Sequence, residues 1–484
     1  PTIRSKPRIR FDPLHPHPAP SNDGARPCRA RQASHALRAV GPELTVSGPR
    51  IPLGRAWAFA QSFISLAADR VTDITPIGSL RRFDATVGDI SLLAVTTDAA
   101  SLFEILGALP GVKLMHQAAS SCTLQFERNQ IMVHAAQPEH AGAALLHYTG
   151  SRPHTIALIH RAESRDLELG PMGIHARASG KILPTPTEQD AYRLLDLPFI
   201  PPELREGHGE VEAAEAGSLP RLVERRDIRG DLHMHSTWSD GRDEIEEMVK
   251  QSIALGYEYI AITDHSQHSV AAAGLTPDRL RRQRQEIEEL RPRYPGIAIL
   301  HGAEVDIMPD GELDFPDSVL AELDIVLASL HERAWHTGPQ LTERYLTAMQ
   351  NPFVNIITHP TNRLVGHRSG YDLDLPRLFA AAVETGTMME IDGAPAHLDM
   401  DGVVARRAIE AGVTVSIDSD CHRAAWLEGH MALGVGTARR GWVQPRHVLN
   451  TRSVHEVRQI ISAKKRRKLQ ERARRNVREA GNRS

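Results

Sequence analysis

The sequence predicts an α/β protein in which a distorted barrel of about seven parallel strands follows a smaller α+β region. Three observations support this prediction. Short apolar strands alternate with amphipathic helices from about residue 227 onward. Histidines and carboxylates recur where these strands end. Ahead of the barrel, a Gly-Ser turn, two arginines and a Gly-Asp strand follow one another within residues 78–93.

The composition is that of a soluble globular protein with several domains. The chain has 484 residues, of which 41% are apolar and 24% charged, and its net charge is −3. This charge gives the whole molecule no attraction for nucleic acid, although both ends of the chain are basic. No apolar run approaches the roughly 18–20 residues that cross a bilayer. The three scattered cysteines favour a reducing compartment, so we expect a cytoplasmic protein without a membrane partner.

The pattern divides the chain into five segments. Residues 1–48 are rich in proline and arginine, and we expect them to be disordered. The α+β region spans 49–152, a linking region spans 153–226, the barrel spans 227–462 and a basic tail spans 463–484. The sequence begins without methionine, which fits either a chain trimmed at its start or a fragment.

The α+β and linking regions contain clear helix and strand signals. An amphipathic helix and two strands are predicted over residues 52–70, 90–96 and 122–128. In the linking region, Thr187 and Asp190 suit the start of a helix, and Pro201 and Pro202 suit its end.

The barrel strands are short apolar runs separated by helical stretches such as 243–256 and 278–290. The predicted strands lie at residues 231–235, 259–263, 297–304, 325–330, 354–358, 388–391 and 413–417. Strands alternating with helices at this spacing predict parallel pairing and a closed barrel.

Six histidines and three carboxylates follow these strands, where active sites of such barrels lie. They are His233, His235, Asp240, His265, Glu304, His331, His359, Asp420 and His422. A single histidine at a strand end is usually a hydrogen-bonded structural residue, but a set of this size without partners would cost roughly 1–3 kcal/mol per group. The mixture suits Zn²⁺, Mn²⁺ or Fe²⁺, and nine ligands imply two or three ions. Such ions generate hydroxide and stabilise the attacking and leaving oxygens of a phosphoester.

The motifs "DLHMHSTWSDG", "ITDHS", "GAEVDI", "ASLH", "THP" and "DSDCH" resemble, in order, those of the PHP (polymerase and histidinol phosphatase) domain. The resemblance covers about 227–460 and implies a distorted (β/α)₇ barrel with a trinuclear site. It implies that all nine residues are metal ligands. Asp240, His265, Asp420 and His422 would also take part in catalysis.

Two further stretches, "PTNRLVGHRSGYDLDL" and "LGVGTARRGWV", resemble the PHP branch that is fused to bacterial family X DNA polymerases. This branch makes His336, Arg363, Arg368 and Arg439 candidate phosphate contacts. Ion-paired structural roles are the alternative for all four. Asp392 lies near the end of the sixth strand and lines the site on this reading without being a ligand.

The front region, about 50–225, resembles the palm and thumb of the same bacterial polymerases, a nucleotidyltransferase-like core. "GSLRR", "TVGDI", "HYTGS" and "GKILPTPTEQDAYRLLDLPFIPPELREG" carry the resemblance. It implies a nucleotide site in which the first residues contact phosphates and the last contact the sugar, with Asp89 on the metal side. The set is Gly78, Ser79, Arg81, Arg82, Asp89, Tyr148, Gly150 and Ser151.

Two of the three carboxylates needed for nucleotidyl transfer are missing from this palm. Two bound ions need three negative groups, two of them two residues apart on one strand. Asp89 is present, but Ser91 stands at the second position and Met132 at the third. Glu127 could replace Met132 only after a change of strand register. Residues 1–48 are also too short for the helix-hairpin-helix modules of the family. The resemblance therefore implies a degenerate palm.

The leading hypothesis is a metal-dependent phosphoesterase that acts on DNA ends by metal-hydroxide attack. Its substrates would be single-stranded or 3′ ends, as in 3′-end processing during DNA repair. Hydrolysis of a small phosphomonoester such as histidinol phosphate is one alternative. Residual template-directed DNA synthesis is another, and non-catalytic DNA binding a third. The basic tail is equally compatible with backbone contacts to DNA and with a solvated helix end.

Overall fold

A computed structural model describes residues 50–466, which belong to one compact unit. The expectations for residues 1–48 and for most of the basic tail lie outside the described residues. Between residues 50 and 466, no helix is both long and apolar enough to cross a membrane. The predicted fold class is confirmed, since a small mixed α/β region precedes a barrel of seven parallel strands.

The palm region is built on a five-stranded sheet in the order β2-β4-β7-β6-β5. The five strands of this sheet are β2 (Ile74–Pro76), β4 (Ser91–Val95), β5 (Val112–Gln117), β6 (Ser121–Phe126) and β7 (Asn129–Ala136). A separate two-stranded sheet pairs β1 (Ile51–Pro52) with β3 (Thr86–Val87). The helices of the palm region are α1 (Leu53–Ala67), α2 (Gly78–Arg81), α3 (Ala99–Gly107) and α4 (Ala141–Thr149). The predicted helix and two strands therefore lie where the sequence puts them.

The thumb region is a small unit of helices around a three-stranded sheet. It contains α5 (Arg152–Glu163), β8 (Leu167–Gly170), β9 (Gly173–Ala176), β10 (Ile182–Leu183), α6 (Glu188–Leu194) and α7 (Glu210–Glu215). Thr187 and Asp190 form the predicted capping box of α6. The predicted end of this helix at Pro201–Pro202 is wrong. The helix stops at Leu194, because Asp196 turns the chain with a φ of 54°.

The barrel strands pair in chain order as one parallel sheet. They are β11 (Gly230–Asp231), β12 (Tyr259–Ile262), β13 (Ala298–Asp306), β14 (Ile325–Ser329), β15 (Ile356–Ile357), β16 (Met388–Asp392) and β17 (Val415–Asp418). A parallel bridge between Met234 and Cys421 joins the first strand to the last. The predicted strand at 231–235 is much shorter than expected, since the chain leaves the ladder after Asp231 and turns its histidines into the barrel mouth.

Helices cover the outside of the barrel and bury its apolar strand faces. They are α8 (Ile245–Ala254), α9 (Pro277–Leu290), α10 (Asp317–Leu320), α11 (Gly338–Gln350), α12 (Leu375–Thr385), α13 (Gly402–Glu410) and α14 (Leu427–Arg440), followed by a helix over 454–466. Parallel strands covered in this way are buried on both faces, which explains their continuous apolar runs.

The apolar core of the palm continues into the barrel. Val365, Leu398 and Leu433 belong to the barrel sequence, yet they pack in the same buried cluster as the palm helices and strands. At the same contact, a Cβ atom added to Gly54 would overlap Pro395. The palm is therefore packed against the loops that follow β15 and β16, at the mouth of the barrel.

Candidate metal centre

The structure brings all nine predicted ligands together at the carboxyl ends of the barrel strands. Glu304 lies within β13, and the others lie in the segments that follow the strands. The last pair, Asp420 and His422, begins two residues after β17. This convergence follows from the topology, because parallel strands present their carboxyl ends at one mouth.

Glu304 lies at the centre of the cluster and is almost fully buried. Imidazole nitrogens of five histidines lie within 3.6 Å of its carboxylate oxygens: His233, His235, His265, His331 and His359. The shortest distances, both 2.9 Å, join Oε2 to His265 Nδ1 and Oε1 to His359 Nε2. A carboxylate placed in this way can bridge two ions.

The remaining carboxylates lie beside the same histidines. Asp240 Oδ1 is 3.3 Å from His422 Nε2 and 3.6 Å from His265 Nε2. Asp420 Oδ1 is 3.1 Å from His235 Nε2. Three groups have their ligand atoms within 4.8 Å of one another: His235, Asp240, His265 and His422; His233, His235 and Glu304; and His265, Glu304 and His331.

Several donor atoms fit metal ions because they lie close together, and some of them have no hydrogen-bond partner within residues 50–466. The Nε2 atoms of His233 and His235 are 3.1 Å apart. His265 Nδ1 and Glu304 Oε2 are buried and have no hydrogen bond within residues 50–466, although they lie 2.9 Å apart. Unpaired buried donors and acceptors of this kind are costly unless a cation lies between them.

The electrostatics of the cluster favour ionised carboxylates. Burial alone would raise the pKa of Glu304, but His265 and His331 outweigh burial and hold this pKa well below its usual range. Burial also opposes ionisation of Asp240, yet its hydrogen bond with His422 and the charge of His265 lower its pKa to about 2. The carboxylates are therefore charged at neutral pH, as metal binding requires.

Two buried carboxylates that support the ligands were missed by the sequence analysis. Glu390, in β16, accepts hydrogen bonds from His233 Nδ1 at 2.7 Å, from the His359 backbone N–H at 2.8 Å and from the Thr358 hydroxyl. Asp306, in β13, lies 2.9 Å from His331 Nδ1. Such partners fix the orientation of ligating imidazoles. In the sequence, these residues are marked only as carboxylates within buried strands, which does not reveal their partners.

Asp392 is buried behind the cluster. Its backbone neighbour Ala394 donates a hydrogen bond to it at 2.6 Å. Burial, with the charges of Asp420 and Glu390, raises the pKa of Asp392 well above its ordinary value. This raised pKa makes Asp392 a less suitable metal ligand than the nine predicted residues, and its exclusion from that set stays a prediction.

The candidate phosphate contacts are engaged by the protein itself. Arg363 donates hydrogen bonds to the backbone oxygens of His397 and Leu398 and pairs with Asp401. The Arg368 guanidinium donates to Asn362 at 2.7 and 2.8 Å. The two remaining candidates are Arg439, which pairs with Glu203 at 2.6 Å, and His336, whose buried Nδ1 has no partner within residues 50–466. These contacts favour the structural alternative for the three arginines, and phosphate binding stays a prediction.

In the palm, the structure aligns the two positions that lack carboxylates. Ser91 and Met132 are paired neighbours on the parallel strands β4 and β7. The Ser91 hydroxyl donates a hydrogen bond to Asp89, so the remaining carboxylate is bound to a neutral group. Glu127 is exposed in the β6–β7 turn, five residues before Met132. No second carboxylate therefore adjoins Asp89 on the facing positions of these two strands.

The rest of the predicted nucleotide site clusters around the ends of α2 and α4. A Cβ atom at Gly78 would lie 4.0 Å from the Tyr148 backbone oxygen, and one at Gly150 would lie 3.1 Å from Arg82 Nη1. Arg82 also pairs with Glu206 at 2.9 Å. Ser151 is buried.

Arg81, which directly precedes Arg82, is also held by contacts within the protein. Its guanidinium pairs with Glu188 at 2.6 Å and donates a hydrogen bond to the Thr149 hydroxyl at 2.8 Å. Nucleotide binding by Arg81, Arg82 and their neighbours stays a prediction, and both guanidinium groups already have carboxylate partners.

Two family models match the chain. The DNA polymerase beta thumb matches residues 144–206, and the PHP domain matches residues 231–372. The second range contains all predicted ligands except Asp420 and His422, and the structure continues the same barrel through both. Fold and site together define a metal-dependent hydrolase whose PHP barrel follows a family X thumb.

Comparison with curated proteins gives the particular family. The chain is 39% identical over 427 residues to the DNA polymerase/3′-5′ exonuclease PolX of Bacillus subtilis, a match that covers 87% of this chain and 74% of that protein. A probable phosphatase of Thermoanaerobacter sp. (strain X514) is 30% identical over 248 residues, which is 49% of this chain and 95% of the phosphatase. A probable phosphatase of Syntrophotalea carbinolica is 28% identical over 212 residues, which is 40% of this chain and 80% of that phosphatase. The chain belongs to the PolX family of bacterial family X polymerases and exonucleases.

Proposed function

We propose that this chain is a metal-dependent phosphoesterase that shortens or trims DNA at 3′ ends, a 3′-5′ exonuclease. The observation that carries the proposal is the buried carboxylate of Glu304, whose two oxygens lie among five imidazoles. The arrangement suits clustered divalent cations, and the PolX relative is named as a 3′-5′ exonuclease. We also propose a cytoplasmic location, which the three scattered cysteines favour.

The proposed cofactor is two or three ions of zinc, manganese or iron. Their proposed ligands are His233, His235, Asp240, His265, Glu304, His331, His359, Asp420 and His422. When bound, such ions would supply hydroxide near neutral pH and neutralise charge on the phosphoester oxygens. Mixed imidazole and carboxylate donors favour these metals over magnesium or calcium.

The residues of the chain itself hold and orient this centre. Glu390 and Asp306 fix the rings of His233 and His331 through their Nδ1 atoms. The partly exposed side chains of Asp240 and His422 form the rim that faces solvent. A phosphodiester would approach from this rim, because the opposite side of the cluster is closed by the barrel core.

The proposed catalytic group is Asp240, His265, Asp420 and His422. His265 Nε2 is 3.6 Å from Asp240 Oδ1, so these two groups could hold the same ion beside the phosphate. Among residues 50–466, no side chain outside the cluster stands out as a general acid.

We further propose that the palm, residues 49–152, does not polymerise DNA. Losing two of three carboxylates removes most of the negative charge that two ions require, which should lower metal affinity by several kcal/mol. The thumb and linker at 153–226 and the barrel at 227–462 complete the proposed domain division.

A small phosphomonoester is the second candidate substrate. The observation in its favour is that the probable phosphatases match the barrel over nearly half of this chain. The palm and thumb that precede the barrel favour DNA instead.

The test supplies manganese or zinc to the purified protein and offers three substrates in parallel. They are labelled single-stranded DNA, gapped primer-template with deoxynucleotides, and histidinol phosphate. Asp420→Ala removes one proposed ligand. Glu410→Ala, on the exposed face of α13, is the matched control, since it also removes one carboxylate.

We expect shortening of DNA by the wild type and by Glu410→Ala, and none by Asp420→Ala. Primer extension would contradict the proposal for the palm. Phosphate release from histidinol phosphate alone would favour the second substrate. Absence of bound metal together with absence of turnover would remove the hydrolase proposal.

A further inference from the structure

An exposed aromatic side chain stands beside the candidate metal centre. Trp426 is 47% exposed and lies four residues after His422, immediately before α14. Isolated apolar residues on a surface need no explanation. Trp426 differs, because its ring is held in place by other side chains.

The ring of Trp426 is connected to the cluster through one histidine. It stacks on His430 with ring centroids 5.8 Å apart and ring planes at 24°. The His430 ring nitrogen Nδ1 donates a hydrogen bond to the Ser419 backbone oxygen at 3.0 Å. Ser419 directly precedes Asp420, a proposed ligand. The indole is therefore linked to the metal centre through one side chain, His430, and the Ser419 backbone.

A cation accompanies this ring. The Arg423 guanidinium lies over Trp426, 5.2 Å from the ring centroid, and directly follows His422 in the chain. Arg423 is exposed and forms no ion pair with a carboxylate of the described residues 50–466. A guanidinium at this distance is loosely held, since cation–π contacts extend to about 6 Å and are weak at exposed sites.

We propose that Trp426, His430 and Arg423 form a platform that binds one unpaired nucleobase and the phosphate beside it. The base stacks on the exposed indole, which His430 supports from within the protein. Arg423 moves from the ring to the phosphate. The position of this nucleotide, next to the cleaved bond, rests on the proposed function. The platform favours a single-stranded DNA end over a small phosphomonoester as substrate. Stacking accepts any nucleobase, but the substrate must carry a base to stack.

The test measures binding without turnover. A fluorescein-labelled oligothymidylate with phosphorothioate linkages at its 3′ end is titrated with protein in the presence of Mn²⁺, and anisotropy gives Kd. Two further oligonucleotides carry a base-free tetrahydrofuran residue at the last or the penultimate position. The variants are Trp426→Ala and Trp426→Phe, with melting temperatures as a check on folding.

Trp442→Ala is the matched control. Trp442 also has an arginine over its ring, Arg406 at 4.2 Å, but it follows the far end of α14, about 20 Å along the helix. Its loss should leave the binding of all three oligonucleotides unchanged.

We expect the wild type to bind one of the base-free oligonucleotides about 5- to 100-fold more weakly than the intact one. Trp426→Ala should bind the intact oligonucleotide with the same weakened affinity and lose the discrimination, while Trp426→Phe keeps most of it. Equal discrimination by the wild type and Trp426→Ala would overturn the platform.

This result is separable from the exonuclease proposal. Discrimination by the wild type without any cleavage of unprotected DNA would leave the platform standing and remove the exonuclease. If the wild type cleaves unprotected DNA but binds intact and base-free oligonucleotides equally, the exonuclease proposal stands and the platform is removed.

Discussion

Glu304 illustrates how one side chain organises the candidate centre. It is buried in β13, and its two oxygens face different histidines, His265 on one side and His359 on the other. A buried carboxylate in an apolar strand would be strongly destabilising if it lacked partners. We explain its position by the cations that the surrounding imidazoles could bind. Its proposed main role is therefore in metal binding and not in stabilising the core.

Replacing Glu390 by glutamine should weaken metal binding without removing a ligand. The carboxylate accepts from three donors, including His233 and His359, whereas a carboxamide has one acceptor oxygen. We expect metal affinity to fall about 10- to 100-fold, with hydrolysis recovering when excess Mn²⁺ is added.

Metal titration followed by atomic emission measures this effect. Glu410→Gln serves as the exposed control and should retain wild-type affinity. An unchanged affinity in Glu390→Gln would show that Glu390 does not orient the ligands.

At the residue scale, polar residues that recur at the ends of apolar strands could be predicted from the sequence. Residues whose partners lie far away in the chain could not. His233, His235 and Asp420 could be predicted because each follows an apolar strand. Glu390 could not, since its partners His233 and His359 are 157 and 31 residues away in the chain. The ion pair of Arg81 with Glu188, 107 residues away, could likewise not be predicted from the sequence.

At the scale of elements, the segment that follows β16 lies between the palm and the metal centre. Pro395 contacts Gly54 of α1, and the ring of His397 stacks on His359 with centroids 5.5 Å apart. The Val365 backbone N–H also donates to the Ala396 oxygen at 2.8 Å. The position of a proposed ligand therefore depends on packing against the palm helix.

Gly54→Val should disturb this contact, because any side chain at this position overlaps Pro395. We expect a lower melting temperature and a weaker affinity for metal, since His397 and His359 would shift together. Gly170→Ala is the control, since no atom lies within 4 Å of the added group. Differential scanning calorimetry and metal titration make both measurements. A lowered melting temperature with unchanged metal affinity would mean that the contact stabilises the fold only.

The thumb is joined to the palm by a buried ion-pair group around Glu188. Its carboxylate pairs with Arg205 at 2.7 Å and with Arg81 at 2.6 Å. Burial raises the pKa of Glu188, but these arginines outweigh burial and leave the pKa below its ordinary value. Stability from this group is therefore present above the unfolded pKa and is lost as the pH falls through the folded pKa.

The thermal stability of the wild type should accordingly fall as the pH drops below about 4.3. Glu188→Gln should be less stable at pH 7 by about 3 kcal/mol, because buried Arg205 loses its partner, and its stability should depend less on pH in the acid range. Denaturant unfolding at several pH values measures both effects. Glu289→Gln, on the exposed side of α9, is the control and should show the wild-type dependence of stability on pH. If Glu188→Gln also shows the wild-type dependence, the Glu188 ion pairs do not contribute to stability as expected.

The elements themselves were largely predictable, since apolar runs of strand length recur through the barrel. The exceptions have local causes. Helix α6 ends at Leu194 because Asp196 adopts a left-handed turn, which no proline signals. Strand β11 ends at Asp231 because the next residues turn toward the metal centre, a consequence of function that apolar content does not encode.

At the scale of the whole molecule, palm and barrel share one apolar core. Val365, Leu398 and Leu433 of the barrel are buried among palm residues. The domain limits predicted from the sequence stay a prediction, and the described residues belong to one compact unit. Contacts between residues far apart in the sequence form this shared core, so no local sequence pattern predicts it.

The barrel produced alone, residues 227–466, should be less stable than the whole chain. Val365, Leu398 and Leu433 would become exposed, at about 2 kcal/mol for each buried side chain. We expect a lower melting temperature, binding of a hydrophobic dye and weaker metal affinity. An isolated barrel that melts with the whole chain and binds metal equally well would contradict a structural role for the palm.

The hydrogen bond from Ser91 to Asp89 makes the present state of the palm hard to reverse by single changes. Replacing Ser91 by aspartate would exchange a donor for a second negative charge beside Asp89, with Met132 still offering none on the neighbouring strand. Two carboxylates without a third bind ions poorly and repel each other. If the palm does not polymerise DNA, as we propose, a single change toward the three-carboxylate arrangement passes through an unfavourable intermediate. Packing against the barrel then explains why the palm is retained.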